Sequence, residues 1–157
     1  MNKFERDKVK NSLLRILRNA TGIYRKTIKF EEKENYYLKL KEIIVVLTKK
    51  VDDNSIKNED IRKAIIELRK FCSSIGASQK VINVYLKFYC IISNKDDKIL
   101  QELDCPIDSE VIKYYNLKKI RLINLDLKEY KIMQEELRKR EGMRIIAEIK
   151  AYDTKKQ

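Results

Sequence analysis

The chain has 157 residues, enough for one domain with a sizeable core, and its 43% hydrophobic and 38% charged content excludes an intrinsically disordered chain. It contains no histidine, so a Ser–His or Cys–His nucleophile and a histidine-ligated metal are excluded, and any acid–base or nucleophilic work falls to Lys, Asp, Glu, Tyr or Cys. The net charge of +12 is uneven: residues 1–50 hold 14 Lys/Arg against 6 Asp/Glu, residues 51–110 hold 9 against 11, and residues 111–157 hold 13 against 7. Two basic flanks around a near-neutral middle suit a phosphate backbone, which binds cations without reading sequence. The plainer reading is a solvated, lysine-rich surface.

Gly 3 and Pro 1 are both scarce. Sheets need tight turns built from those residues, so the composition predicts long helices and few connections. We expect an all-α fold: a single compact domain over residues 1–157, of about six to seven helices.

In chain order, "FERDKVKNSLLRILRN" (4–19) spaces Phe4, Val9, Leu13, Leu14, Ile16 and Leu17 for a helix, with Gly22 as a stop. Residues 31–50 begin with acids and end with lysines, which suits a helix dipole, although the run "IIVV" alone favours a strand. "VDDNSIKNED" is a polar connector. Asn58 is placed to cap a third helix over 59–73, with Ile61, Ala64, Ile65, Leu68 and Phe71 inward. A fourth helix is predicted over 77–93, with Val81, Val84, Tyr85, Phe88, Ile91 and Ile92 as its apolar stripe. Lys80, Asn83 and Lys87 form a polar stripe beside it, ordinarily the wet side of such a helix.

A short helix follows over 97–103. "DCPID" reads as an extended turn, because Pro106 disfavours helix at Cys105. Asp108 can cap a helix over 109–116. Residues 118–125, "KKIRLINL", suit a strand or a short helix. One long helix is predicted over 126–150, and "YDTKKQ" reads as a fraying tail. These elements divide into N-terminal helices (1–75), a middle segment (76–116) and C-terminal helices (117–157).

Cys72, Cys90 and Cys105 are an odd number among apolar neighbours and read as buried hydrophobes in a reducing compartment. Asp52–Asp53 and Asp96–Asp97 sit in polar loops and read as solvated rather than as metal ligands. Neither a metal nor another cofactor is expected. No apolar run approaches about 18 residues and the N-terminus is charged, so neither a membrane span nor a secretory leader is expected. The expected location is the cytoplasm, at the nucleoid if the partner is DNA.

One stretch carries a more specific pattern. "GASQKVINVYLKFY", followed by "CPIDSEVI", resembles the core of the helix-hairpin-helix DNA glycosylase superfamily, its archaeal 8-oxoguanine glycosylase branch in particular. The likeness spans residues 76–113, about a quarter of the chain. It implies a glycosylase with lyase activity on damaged DNA. Lys80 would attack the sugar C1′ as an amine and expel the base, and Asp108 would stabilise the cationic sugar. The Schiff base would then permit strand cleavage on the 3′ side, without metal or other cofactor. The target base must leave the stack, and Tyr85, Phe88 or Tyr89 are candidate pocket walls. Gly76 marks the hairpin exit, although the usual glycine pair is here a single residue and a plain helix C-cap is the commoner use for it. Gln79, Asn83 and Lys87 are candidate DNA contacts beside Lys80. Lys118, Lys119 and Arg121 are placed to grip phosphates.

Two other readings stand beside the enzyme. One is a basic helical protein that binds nucleic acid without chemistry. The other is a protein-interaction module built on exposed helix faces. In both, Lys80 is a surface lysine and Asp108 an ordinary helix cap. The sequence sets no oligomeric state.

Overall fold

The structure is a computed structural model that describes residues 32–72 and 74–153. The helix expected over 4–19 and its stop at Gly22 lie outside these residues. The described chain is all-α, with no strand: α1 (Lys33–Asp52), α2 (Asn58–Cys72), α3 (Ile75–Ile92), α4 (Asp97–Leu100), α5 (Ser109–Tyr114), a 3-10 turn (Leu122–Asn124), α6 (Leu127–Glu141) and α7 (Arg144–Asp153). No described helix is long and apolar enough to cross a membrane.

Three helices stop in the same way. Asn54, Asn94 and Asn116 each take a left-handed φ just past a helix. The next amide in each case reaches back five residues: Ser55 to the Lys50 carbonyl, Lys95 to Cys90 and Leu117 to Ile112. Asparagine here does the work usually given to glycine, so the scarcity of glycine does not mean a scarcity of sharp stops. Among the described residues one glycine is of this kind: Gly142, at φ 77°, splits what the sequence suggested was a single helix over 126–150 into α6 and α7. Leu127 to Glu141 and Arg144 to Asp153 are both good helix, but the left-handed residue turns the chain between them.

Helix starts are capped by side chains. Ser74 accepts from the Ala77 amide, Asp96 from Ile99, Asp108 from Val111 and Asp126 from Glu129. Asn58 does not cap α2 as expected. It is the first helical residue, and its side-chain amide crosses to the Glu102 carbonyl and the Asp104 carboxylate. Asp96 is a cap rather than merely solvated, and Asp52 accepts from the Tyr89 hydroxyl at 2.6 Å.

Helix α3 is the axis of the molecule, buried on nearly every face from Ile75 to Lys87. Around it pack Leu40, Ile44 and Leu47 of α1, Ile61, Ile65 and Leu68 of α2, Tyr130 and Leu137 of α6, and Ile145 and Ala147 of α7. Burying each of these leucines and isoleucines stabilises the fold by roughly 1.5–3 kcal/mol. The expected facing of α3 is reversed in part. Phe88, Ile91 and Ile92 are half exposed, while the polar positions Asn83 and Lys87 are buried under α6 and α7. The segment 103–108 is also buried throughout, although it has no regular structure.

Candidate functional site

The buried segment 103–108 can exist only if its backbone polar groups find partners. Two glutamines supply them. Gln134 of α6 accepts from the Cys105 amide at 2.9 Å and donates to the Cys105 carbonyl at 2.7 Å. Gln79 of α3 does the same at Ile107, accepting at 3.0 Å and donating at 2.7 Å. Each amide side chain reads one residue as a neighbouring strand would. Asp104 anchors the same segment: its fully buried carboxylate meets Arg62 at 3.2 Å and Arg144 at 3.1 Å. It also accepts from Asn58 and from the Tyr130 hydroxyl. Burial, then Asp104, push the Tyr130 phenol well above its usual value.

This scaffold delivers Asp108 to Lys80. The Lys80 Nζ donates to Asp108 Oδ2 at 2.6 Å, across 28 residues of sequence. Asp108 Oδ1 accepts from the Val111 amide at 3.0 Å, so the same carboxylate caps α5. The Tyr152 hydroxyl donates to Oδ2 as well. Burial alone raises the Asp108 pKa. The Lys80 ammonium, the Tyr152 hydroxyl and the Val111 amide outweigh it and hold the carboxyl below its ordinary range.

Glu148 of α7 completes the group. It pairs with Lys87 and stands 4.0 Å from Lys80. The polar stripe Lys80–Asn83–Lys87 is therefore an internal seam. Lys80 and Lys87 meet carboxylates, and Asn83 donates to the Tyr130 hydroxyl at 3.0 Å. Tyr152 was missed in the sequence because residues 152–157 read as a tail, and Glu148 because it sits among many charges in the helix expected over 126–150. The spacing Arg144, Glu148, Tyr152 does place three polar groups on one helical face, and that signal was available.

The remaining candidate residues scatter. Gln79 and Asn83 are buried and bonded within the fold, with no surface to offer a ligand. Tyr85 and Tyr89 are buried in the core and stack on each other at 6.2 Å between ring centroids. Phe88 lies outside, with the Lys87 ammonium 4.6 Å from its ring centroid. The three aromatics line no common hollow. Gly76 is the second residue of α3, and a Cβ there would strike the Leu122 carbonyl oxygen at 1.9 Å. Its role is to admit the backbone of the 3-10 turn.

That close approach shapes a groove. Residues 116–123 arch away from α5 and leave a half-open hollow of about 960 Å³, lined by Ile112, Leu117, Ile120, Leu122 and Ile123 among others. Lys113, Lys119 and Arg121 also line it, and no carboxylate does among the described residues. These three cations make no ion pair with any described residue. Lys118 differs: it points to Glu129 at 2.9 Å. Of the expected phosphate contacts, Lys119 and Arg121 thus share the groove, and Lys113 joins them. Ser109, next to Asp108, touches the groove edge, but Lys80 and Asp108 do not line it.

Among the described residues no cluster of His, Cys, Asp and Glu is arranged to hold a metal ion. The three cysteines are free and buried; burial pushes the Cys90 thiol up to about 12 and the Cys105 thiol well above its usual value. Comparison with protein-family models, curated proteins and solved structures finds no match to this chain.

Proposed function

We propose that this protein binds nucleic acid through its basic surface, with the groove between α5 and residues 116–123 as the contact region. The observation that carries this reading is the sorting of the cations. Lys80, Lys87, Arg62 and Arg144 face internal carboxylates, whereas Lys113, Lys119 and Arg121 surround one groove with no counter-charge among the described residues. Cations left unpaired beside a hollow raise the local concentration of anions and release counterions when a phosphate backbone binds. Residues 1–31 add nine Lys/Arg against three Asp/Glu to the same chain. The test is fluorescence anisotropy with a labelled oligonucleotide over a range of salt. Affinity falling steeply as salt rises supports the reading. No binding at low salt sinks it.

A second reading adds chemistry, and the 2.6 Å contact between Lys80 and Asp108 favours it. In this reading Lys80 passes a proton to a neighbouring carboxylate and its neutral Nζ bonds to C1′ of a damaged nucleotide. The glycosidic C–N bond breaks, and the departing base takes up a proton. Loss of the remaining N–H proton and opening of the sugar ring give the Schiff base. Asp108 and Glu148 supply acceptor oxygens for the proton. They also favour the ammonium form, so the chemistry requires that the DNA weaken those contacts. Borohydride trapping of a covalent complex on DNA with an abasic or oxidised site decides the matter. Trapping lost in Lys80→Gln supports a lyase; equal trapping by parent and variant rejects Lys80 as the nucleophile.

A further inference from the structure

The groove combines two features that a single surface charge would not explain. Its wall carries the exposed cations Lys113, Lys119 and Arg121, and its floor is aliphatic: Ile112, Leu117, Ile120 and Leu122, packed on the core, with the exposed Ile123 beside them. The arch cannot collapse onto α3, because the Leu122 carbonyl already sits where only a glycine at position 76 leaves room. Ile123 is 47% exposed at the groove, an apolar side chain held beside cations with no described residue covering it. The hollow is therefore cationic at its wall and apolar at its base.

A duplex does not match that combination. Its outer face presents phosphates, its base faces are stacked inside, and an aliphatic floor gains nothing from it. An unpaired strand offers both parts, phosphates for the cations and exposed base faces for the apolar floor. From this complementarity we infer that the groove is a seat for single-stranded nucleic acid, with backbone phosphates on Lys113, Lys119 and Arg121 and at least one unstacked base against Ile120 and Ile123. The inference rests on the nucleic-acid reading above and narrows it to one class of ligand. The floor is aliphatic rather than aromatic, so the contact favours no base in particular.

The experiment compares the full chain with three probes of about 16 nucleotides, a length within the range that small single-strand modules cover. They are oligothymidylate, oligouridylate and a mixed-sequence DNA duplex. The variants are Ile123→Ser, which changes an exposed side chain without changing charge, and Lys119→Glu combined with Arg121→Glu. Matched helicity and thermal midpoint show that the variants fold. We expect at least one single strand to bind about tenfold tighter than duplex. Ile123→Ser should weaken it about tenfold, the effect of losing one base contact, and, adding no charge, leave duplex binding unchanged. Charge reversal should weaken both. Duplex bound as tightly as the better-bound single strand, or single-strand affinity unchanged in Ile123→Ser, overturns the inference and leaves the broader reading standing. If no probe binds, both fall.

Discussion

Asp108 receives three donors on one carboxylate: the Lys80 ammonium, the Tyr152 hydroxyl and the Val111 amide. Its folded pKa lies below its unfolded value. A group of this kind contributes stability above its unfolded pKa, near about 4, and the contribution is lost as pH falls through the lowered folded value. Asp108→Asn keeps a side-chain oxygen for the cap but removes the charge. The parent should therefore be more stable than this variant at pH 7, and the gap should narrow below about pH 4. Denaturant melts at both pH values measure it; a gap that widens in acid contradicts the assignment. Gly76 offers a second test, since Gly76→Ala pushes a methyl into the Leu122 carbonyl. Overpacking of this sort costs about 1–3 kcal/mol, read as a fall of several degrees in thermal midpoint. An unchanged midpoint would mean that the arch does not touch α3. The cap at Asp108 was legible from "PIDSEV", because Pro106 breaks the chain and an aspartate follows. The third donor was not: Tyr152 lies 44 residues downstream, in a segment whose composition reads as a tail.

Among the elements, the pairing of α3 with the segment 103–108 depends on Gln79 and Gln134. Replacing either with leucine keeps the bulk but leaves an amide and a carbonyl buried without partners. Each substitution should cost about 2–4 kcal/mol, the sum of two such orphaned groups. Urea titrations check this, and a loss below about 0.5 kcal/mol would show that water replaces the glutamine. Helix ends supply a milder prediction. Asn94 sits left-handed at φ 51° beyond α3. Asn94→Ala should destabilise by about 1 kcal/mol and Asn94→Gly should not. Helix positions were largely readable, because apolar spacing survives in sequence: α1, α2, α3 and α5 begin and end within a few residues of expectation. Facing was less readable. The stripe Lys80–Asn83–Lys87 has the periodicity of a wet face, and only the arrival of α6 and α7 with Tyr130 and Glu148 makes it an interior seam. Helix α3 then sheds Phe88, Ile91 and Ile92 to the surface. Local pattern reports that a helix has two faces; it does not report which one the distant chain will cover.

At the scale of the molecule, charge is divided by use. Three buried acids, Asp104, Asp108 and Glu148, meet bases inside the fold. The excess stands elsewhere, on residues 113–121 and in the sequence before α1. The all-α class followed directly from low glycine and proline and from the helical spacing of apolar residues. The groove did not, because it depends on an arch that the sequence left open between strand and short helix. The account turns on Lys113, Lys119 and Arg121 meeting phosphates, and the salt dependence of binding measures that directly. For single strands, each phosphate neutralised contributes a slope of about 0.7 in log affinity against log salt. Lys113→Gln, Lys119→Gln and Arg121→Gln combined should therefore weaken oligothymidylate binding and flatten the slope by about 2. A triple variant whose affinity and slope match the parent's would contradict the account.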